Sequence, residues 1–363
     1  MKFNTGLKII DWYIIKKFLG TYFFTILLII AITVVLDYNQ KMEKFMQNDA
    51  PFDSIVFDYY VNFIPYFVNL FSPLFTFIAV IFFTSKLADN SEIIAILSSG
   101  INFKRLMVPY MVSALFISIL TFSLNSFVIP KGNIKRIEFE DKYYKDRKVD
   151  MASNIQLEVE PGVIMYFYGY NNNTGIGNNI SIEKFEGKTL VSRLTAQSIR
   201  YDSINHWTIS NYMIRNFVGL KEEVTSGVEI DTILNIVPSD FLISRFDSEQ
   251  MTTPHLRKYI ERQKKRGIGN IQPFEIEYHK RFSMAFAAFI LTVIGVSLSS
   301  RKIKGGMGLN IGLGLLLSFS YILFMQISSS LAVSGLVSPF IAVWSPNFLY
   351  ILIAVYLYTK APR

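Results

Sequence analysis

Fifty-five consecutive residues between Lys304 and Lys360 contain no Asp, Glu, Lys or Arg. A helix that crosses the hydrocarbon core of a bilayer needs about 20 apolar residues. The run is therefore too long for one element of a soluble core, and it has the length of two membrane spans with a turn between them. This feature predicts that the chain lies in a membrane.

The composition agrees with a membrane location. Hydrophobic residues make up 51% of the chain and charged residues only 18%, whereas a soluble domain carries about 25% charged residues. Much of the net charge of +8 lies at span boundaries, and there is no stripe of basic and aromatic residues typical of a nucleic-acid-binding protein. The chain has no cysteine, which excludes disulfides and thiolate metal sites.

Six uncharged windows have the length of a membrane-spanning helix. They cover residues 18–36, 61–84, 106–129, 282–300, 308–333 and 341–359. Three of them precede a long polar stretch and three follow it. The sequence therefore predicts an α-helical membrane protein with six transmembrane helices in a 3+3 arrangement, whose membrane halves are residues 1–130 and 282–363.

Basic residues in short loops predict the orientation of these spans. If the N-terminus is inside, the inner loops and the C-terminal end hold Lys86, Lys104, Arg105, Arg301, Lys302, Lys304, Lys360 and Arg363. The short loop at 334–339 has no charge, as expected for an outer loop. Both termini are therefore predicted to be cytoplasmic, with residues 131–281 on the outer side.

The outer stretch changes its hydrophobic period from that of a helix to that of a strand. Val163, Met165 and Phe167 alternate with other residues, as do Trp207 and Ile209, and turn signals separate such runs. Several short strands at this spacing predict a β-sandwich or jelly roll over 131–252. A linker helix is predicted within 253–281, with Thr253 as its cap, Pro254 at its first position and a stop at Gly267.

The sequence offers no energy source within the chain. The six windows hold no charged residue and therefore no candidate proton relay. The segment Gly187-Lys188-Thr189 has the tail of a phosphate-binding loop, but Ile182 stands where the leading glycine is required. The three histidines form no metal-binding pair on one helix face. We therefore expect no enzyme activity, and any energy source is expected to be a separate subunit.

Residues 86–100, between the second and third windows, are predicted to form a short amphipathic helix. Asn90 or Ser91 would cap it, Glu92 would lie in its first turn, and Gly100 would end it. One face would carry Ile93, Ile96 and Leu97. Such a helix either fits a groove on a partner protein or rests in the membrane interface.

The segment from Ser91 to Gly100, Ser-Glu-Ile-Ile-Ala-Ile-Leu-Ser-Ser-Gly, resembles the coupling-helix motif of the LptF/LptG (YjgP/YjgQ) permeases. Ile10-Asp11-Trp12-Tyr13-Ile14 is similar to the opening Leu-Asp-Arg-Tyr-Ile of that family, with Trp12 in place of Arg. The segment 277–282 resembles the family's entry to span four, and Trp344-Ser345-Pro346-Asn347 its Trp-x-Pro-Asn motif. Ser297 and Asp37 depart from the family pattern, and the departure at Asp37 leaves the choice between LptF and LptG open.

The resemblance implies a permease subunit of an ABC transporter that extracts lipopolysaccharide from the inner membrane of Gram-negative bacteria. Two paralogous permeases pair, and each docks its coupling helix, here 86–100, on an ATPase dimer that binds ATP and magnesium. This chain would bind no cofactor itself. Its outer domain, a periplasmic β-jellyroll, would pass the lipid to matching bridge proteins. The residues expected to couple to the ATPase are Glu92, Ile93, Ile96 and Leu97.

Basic residues at the outer boundaries of the spans are expected either to hold lipid phosphates or to act as interfacial anchors. They are Lys41, Lys44, Lys131, Lys135, Arg136, Lys280 and Arg281. Gly308 and Gly312, followed by Gly314, have the small-residue spacing that lets helices approach closely. That contact would be made either with a second permease or within the chain.

Three other interpretations compete with this one. A permease of another ABC exporter, for lipoprotein release or efflux, is disfavoured because such families place the outer domain after the first of four spans. A membrane enzyme acting on lipid or glycan lacks an acid–base pair beside a span. A structural bridge protein without a transport cycle is the third alternative.

Overall fold

The structure is a computed structural model that describes residues 8–144, 151–171, 174–219, 221–238, 247–265, 271–301 and 306–361. The chain divides into two compact units. The helical unit consists of Met1–Tyr144 and Glu275–Arg363, and the β unit of Lys145–Phe274. The predicted boundary residues Gly267, Lys302, Lys304 and Arg363 lie outside the described residues.

The helices, in chain order, are α1 (Ile9–Gln47), α2 (Phe52–Ser54), α3 (Val61–Leu70), α4 (Ser72–Asp89), α5 (Glu92–Ser98), α6 (Phe103–Ser123), α7 (Ile129–Tyr143), α8 (Asp247–Gln250), α9 (Thr253–Lys265), α10 (Gln272–Ser299), α11 (Gly306–Val333) and α12 (Pro339–Lys360). Two π-helical turns, Ile55–Tyr60 and Leu124–Val128, join α2 to α3 and α6 to α7.

Six helical segments in the described part of the chain are long and apolar enough to cross a membrane. They are Ile9–Gln47, Ser72–Asp89, Phe103–Tyr143, Gln272–Ser299, Gly308–Val333 and Pro339–Lys360. The six predicted spans are therefore confirmed by length and composition.

The second predicted span, 61–84, is divided in the structure. Phe71 adopts non-helical angles (φ −100°, ψ 10°) between α3 and α4. Pro73 explains the break, because proline has no N–H to donate and its ring clashes with the carbonyl four residues earlier. Only the second part, Ser72–Asp89, is long and apolar enough to cross a membrane, so the predicted bounds 61–84 are corrected, and the proline was the available signal for the division.

The boundaries of the β unit also differ from the prediction. Helix α7 continues α6 as far as Tyr143, so residues 131–144 belong to the helical unit and not to the outer domain. The predicted linker helix, which begins at Thr253 and stops at Gly267, corresponds to α9 (Thr253–Lys265) in the β unit, and the remainder of the predicted linker, up to residue 281, contains the first part of α10. Thr253 is the first helical residue and not the cap, since the amide of Leu256 donates to the carbonyl of Thr252 (2.8 Å).

Helix α4 forms the centre of the helical unit. It packs against α1 and α11, and 78% of its most apolar window is buried, compared with 11% for α1. Two glycines, one on α10 and one on α11, allow these helices to approach α4 closely. A Cβ added at Gly295 of α10 or at Gly314 of α11 would lie nearer than 3.0 Å to a side chain of α4.

Neutral polar side chains join the last three helices inside the helical unit. Asn347 of α12 is fully buried, and its Nδ2 donates to the carbonyl (3.0 Å) and the hydroxyl (2.9 Å) of Ser283 in α10. The hydroxyl of Tyr321 in α11 donates to Asn347 Oδ1 (2.9 Å). The Trp-x-Pro-Asn segment thus ends on a residue that ties three helices together.

The β unit contains one six-stranded antiparallel sheet with the strand order β1-β2-β3-β4-β5-β6. Its strands are Met151–Glu160, Val163–Asn171, Ile176–Glu186, Thr189–Ser203, His206–Val218 and Lys221–Ile233. Neighbours in the sheet are neighbours in the chain, because tight turns such as Pro161-Gly162 and Glu186-Gly187 join them. The predicted strands are confirmed, but the described strands form a meander and do not show the crossovers of a jelly roll.

The predicted alternation places the apolar residues of the sheet on its buried side. Met165, Phe167, Trp207 and Ile209 are all buried, and the indole N–H of Trp207 donates to the carbonyl of Ile236 (3.1 Å). These residues belong to one apolar cluster within the β unit.

A short polar network lies near the turn between β4 and β5. The hydroxyl of Thr208 lies within hydrogen-bond distance of the carboxylates of Asp202 and Asp231 (2.9 Å to Asp231), which share its single proton. The Thr208 hydroxyl and the Arg200 guanidinium, which pairs with Asp202 at 2.9 Å, hold the pKa of Asp202 below its usual range. Hydrogen bonds and positive charge both favour the ionised carboxylate.

Candidate functional site

The segment between the second and third spans is divided where the sequence predicted one helix. Helix α4 continues to Asp89, and α5 then begins at Glu92. Ser91 lies between them in the left-handed region (φ 62°) and its side chain makes no capping bond. The predicted end is correct, because Gly100 has a φ of 86° and donates to the carbonyl of Leu97 (3.0 Å).

The apolar face of α5 lies against the chain's own helices. Ile93 is fully buried in the core of the helical unit, and Ile96 and Leu97 pack against that core. The prediction that Ile93 contacts a partner is therefore wrong for this arrangement. The amphipathic pattern identified the buried face correctly, but a pattern alone does not say whether another chain or the same chain covers it.

The opposite face of α5 is the one available to a partner. Ile94 is 54% exposed, and Ala95 and Ser98 are also exposed. Sequence reasoning missed Ile94, although an isoleucine on the side away from the apolar face was the available signal. Glu92 is half-buried at the start of this face.

Glu92 is held by two neighbouring side chains. The hydroxyl of Tyr13 in α1 donates to Glu92 Oε2 (3.1 Å), and Nδ2 of Asn90 donates to Glu92 Oε1 (3.2 Å). The carboxylate also lies in the first turn of α5, where negative charge is favoured by the helix dipole. Its position is thus fixed by both its own helix and the first turns of α1.

A partly buried ion pair lies at the same end of the helical unit, which we call the α5 end. Arg105, near the start of α6, donates from Nη1 to Asp11 Oδ1 (2.8 Å) and from Nη2 to Asp11 Oδ2 (2.5 Å). Asp11 is only 3% exposed. The backbone N–H of Lys8 also donates to Asp11 Oδ2 (2.7 Å).

Three of the predicted phosphate-binding residues are engaged with acidic residues of the chain. Each lies four residues from its partner: Lys41 with Asp37 (2.7 Å), Arg136 with Glu140 (3.4 Å) and Arg281 with Glu277 (3.0 Å). Arg281 is fully buried, and Arg136 is 7% exposed. These two arginines therefore act as internal partners in this arrangement and do not present free charge to a lipid.

The other predicted basic residues are more accessible. Lys131 and Lys135 are exposed on α7, and Lys280 is half-buried on α10. Lys44 is exposed, and its Nζ donates to the carbonyl of Tyr144 (3.2 Å). The phosphate-binding role of these four residues stays a prediction.

The two glycines predicted for helix packing have no close neighbour within the described part of the chain. A Cβ added at Gly308 or Gly312 would meet no atom within 4 Å. Both face outward on α11, whereas Gly314, the third glycine of the run, makes the close approach to α4. Of the two alternatives for Gly308 and Gly312, contact within the chain is thus disfavoured.

No three His, Asp or Glu side chains are grouped as metal ligands among the residues that the structure describes. The chemistry of the α5 end is that of ion pairs and hydrogen bonds between helices, which can hold a surface in place but supply no reaction.

The chain matches the family model of the lipopolysaccharide export system permease LptF/LptG over residues 12–360. It is similar to the lipopolysaccharide export system permease protein LptG of Escherichia coli strain K12, with 19% identity over 96% of this chain and 97% of that protein. The LptG protein of Escherichia coli O6:H1 strain CFT073 matches to the same extent. Because the matched range covers far more than half of the chain, including the sheet and nearly all of the six apolar segments, the chain belongs to the LptF/LptG family of lipopolysaccharide export permeases, multi-pass proteins of the inner membrane.

Proposed function

We propose that this chain is a permease subunit of an ABC transporter, which extracts lipopolysaccharide from the inner membrane and passes it to a periplasmic bridge toward the outer membrane. The ATPase is a separate cytoplasmic dimer that docks at the α5 end and holds the ATP and magnesium. This chain is a transport subunit and not an enzyme. A paralogous permease completes the pair.

The geometry of α5 carries the proposal. The helix is anchored to the core of the helical unit through Ile93 and turns Ile94 and Ala95 outward. A partner that displaced the outer face would therefore move the helices to which the inner face is attached, since packed cores transmit displacement. This arrangement supports mechanical coupling better than a helix that merely rests in the membrane interface.

The proposed orientation follows from the short-loop charges. Lys86, Lys104 and Arg105 flank α5, and cytoplasmic loops carry an excess of basic residues. Arg301 donates to the backbone carbonyl of Lys360, so the end of α10 lies beside the end of α12. On this assignment both termini are cytoplasmic and the β unit is periplasmic.

Two further surfaces support the proposed partners. The outward glycines Gly308 and Gly312 leave α11 open to close approach by the second permease. Strand β6 pairs with β5 alone among the described strands, and its Val224 and Val228 are exposed. An edge strand of this kind accepts an added strand, which suits a periplasmic bridge built from matching β domains.

Replacing Glu92 by Lys tests the docking site. In complexes assembled from this chain, the second permease and the ATPase, we expect Glu92→Lys to weaken ATPase co-purification and to stop lipopolysaccharide release from proteoliposomes. Glu43→Lys is the matched control, because Glu43 is an exposed carboxylate near the other end of α1. Wild-type ATPase association and export in Glu92→Lys would refute the proposed site.

A further inference from the structure

The start of α1 is joined to both elements that flank the proposed docking site. Asp11 makes the bidentate ion pair with Arg105 at the start of α6. Tyr13, two residues further along α1, donates to Glu92 at the start of α5 (3.1 Å). We call the Asp11–Arg105 pair the α1 clamp and the Tyr13–Glu92 contact the α5 contact.

The α1 clamp is the stiffer of these two connections. A planar guanidinium that meets a carboxylate with two parallel hydrogen bonds fixes orientation as well as distance. Asp11 is 3% exposed, so separating the pair would leave a carboxylate out of water without its cation. The α5 contact lies at the surface, where water competes for both groups.

Arg105 stands close behind α5 in the chain. Helix α5 ends at Ser98, and α6 begins at Phe103 after Asn102, whose Oδ1 accepts from the amide of Lys104 (3.1 Å). A displacement of α5 therefore reaches Arg105 through only a short, capped connection. The ion pair between Arg105 and Asp11, which lie 94 positions apart in the sequence, then transmits the displacement to α1.

Helix α1 is suited to carry a displacement over a long distance. It runs without interruption for 39 residues and contains no proline. At 1.5 Å per residue, the 30 residues from Asp11 to Lys41 span about 45 Å. At its far end Lys41 contacts the hydroxyl of Tyr59 and pairs with Asp37 (2.7 Å), so both ends of α1 are held by charged contacts.

We propose that Asp11 and Arg105 are positioning residues that transmit movement of α5 to α1. The inference rests on the proposed function, since it takes the ATPase as the source of that movement. It adds a specific claim: the α1 clamp is needed to convert ATP hydrolysis into transport, and it is not needed for ATPase docking or hydrolysis. A purely structural role would lower assembly, hydrolysis and transport together.

The test uses the full complex in proteoliposomes and measures ATPase co-purification, ATP hydrolysis and lipopolysaccharide released per ATP. We expect Asp11→Asn to retain association and hydrolysis but to lower release per ATP about tenfold, within the usual range of a coupling effect. Arg105→Lys keeps the positive charge but loses the bidentate contact of the guanidinium. Its lipopolysaccharide release per ATP should lie between those of Asp11→Asn and wild type. Lys104→Gln removes the neighbouring exposed cation and should behave as wild type.

The possible failures separate the inference from the proposed function. A wild-type complex that neither binds the ATPase nor releases lipid would overturn the proposed function. If the wild-type complex transports and Asp11→Asn releases as much lipid per ATP, only the α1 clamp inference fails. If Asp11→Asn does not assemble, Arg105→Lys decides: normal release per ATP in that variant would also overturn the inference.

Discussion

Adding a single methyl group should have different effects on the free energy of unfolding at two glycines of the helical unit. Gly295 of α10 faces Val80 of α4, and a Cβ at Gly295 would lie well inside 3.0 Å of a Val80 methyl. Gly312 of α11 has no atom within 4 Å of an added Cβ. Both residues lie inside helices, so Gly295→Ala and Gly312→Ala gain the same helix propensity and differ only in what the methyl meets.

The magnitudes follow from these two terms. Alanine is favoured over glycine by about 1 kcal/mol in a helix interior. Inserting a carbon into a packed core costs about 1–3 kcal/mol, and Val80 cannot easily turn away because a β-branched side chain in a helix has one strongly preferred rotamer. We therefore expect Gly312→Ala to raise the free energy of unfolding by about 1 kcal/mol, and Gly295→Ala to lie about 1–3 kcal/mol below it.

The assay is reversible unfolding of the purified chain in detergent micelles titrated with dodecyl sulfate, followed by tryptophan fluorescence. Val80→Ala supplies the internal check, because it removes the methyl that Gly295→Ala would meet. The double variant should then be more stable than the sum of the single effects by about 1 kcal/mol. Equal responses at Gly295 and Gly312, or strict additivity with Val80→Ala, would refute the close approach of α10 and α4.

Three further changes test other contacts. Tyr321→Phe removes the hydroxyl that donates to Asn347 and should lower the free energy of unfolding by about 0.6–1.7 kcal/mol, as for other hydrogen bonds between membrane helices. In the same micelle titration, Tyr321→Phe should have no effect when Asn347 is already replaced by Leu. Arg281→Leu leaves Glu277 without its guanidinium partner and should lower the free energy of unfolding by about 3 kcal/mol or more. Adding Glu277→Leu should restore part of that stability, as measured by thermal unfolding. The pKa of Asp202 is lower in the folded chain than its unfolded value, which is near 3.8. Its contribution to stability is therefore present above the unfolded pKa and is lost as the pH falls through the folded pKa. Asp202→Asn should flatten the dependence of the sheet's circular dichroism on acid pH.

The six spans could be predicted from the sequence because their signal is local. Each window is long, uncharged and apolar, and the bilayer imposes a fixed length on such segments. The sheet was predicted for a similar reason, since alternating residues such as Met165 and Phe167 need only one buried side. The meander could have been preferred to the jelly roll, because turns as short as Glu186-Gly187 force adjacent strands to pair.

The candidate site was harder to predict because it depends on contacts between distant segments. The sequence shows that Ile93 lies on an apolar face, but only the packing of α5 shows that the chain's own core covers it. The partners of Arg136 and Arg281 could have been predicted from the sequence, since each arginine has a glutamate four residues away on the same helix. The pairing of Asp11 with Arg105, 94 residues apart, has no local signal at all.

The distribution of charge along α1 limits how this helix can move. Its ion pairs lie near its ends, at Asp11 and at Lys41, and residues 18–36 between them carry no charge. In that middle part, the hydroxyl groups of Tyr22 and Ser72 are 3.4 Å apart, which is long for a hydrogen bond. A charged group there would be costly to expose to lipid. An apolar surface, in contrast, exchanges one hydrocarbon neighbour for another at little cost, because lipid tails are as apolar as leucine. We therefore expect α1 to change neighbours along its middle during transport, while α10, α11 and α12, joined through buried Asn347, move together.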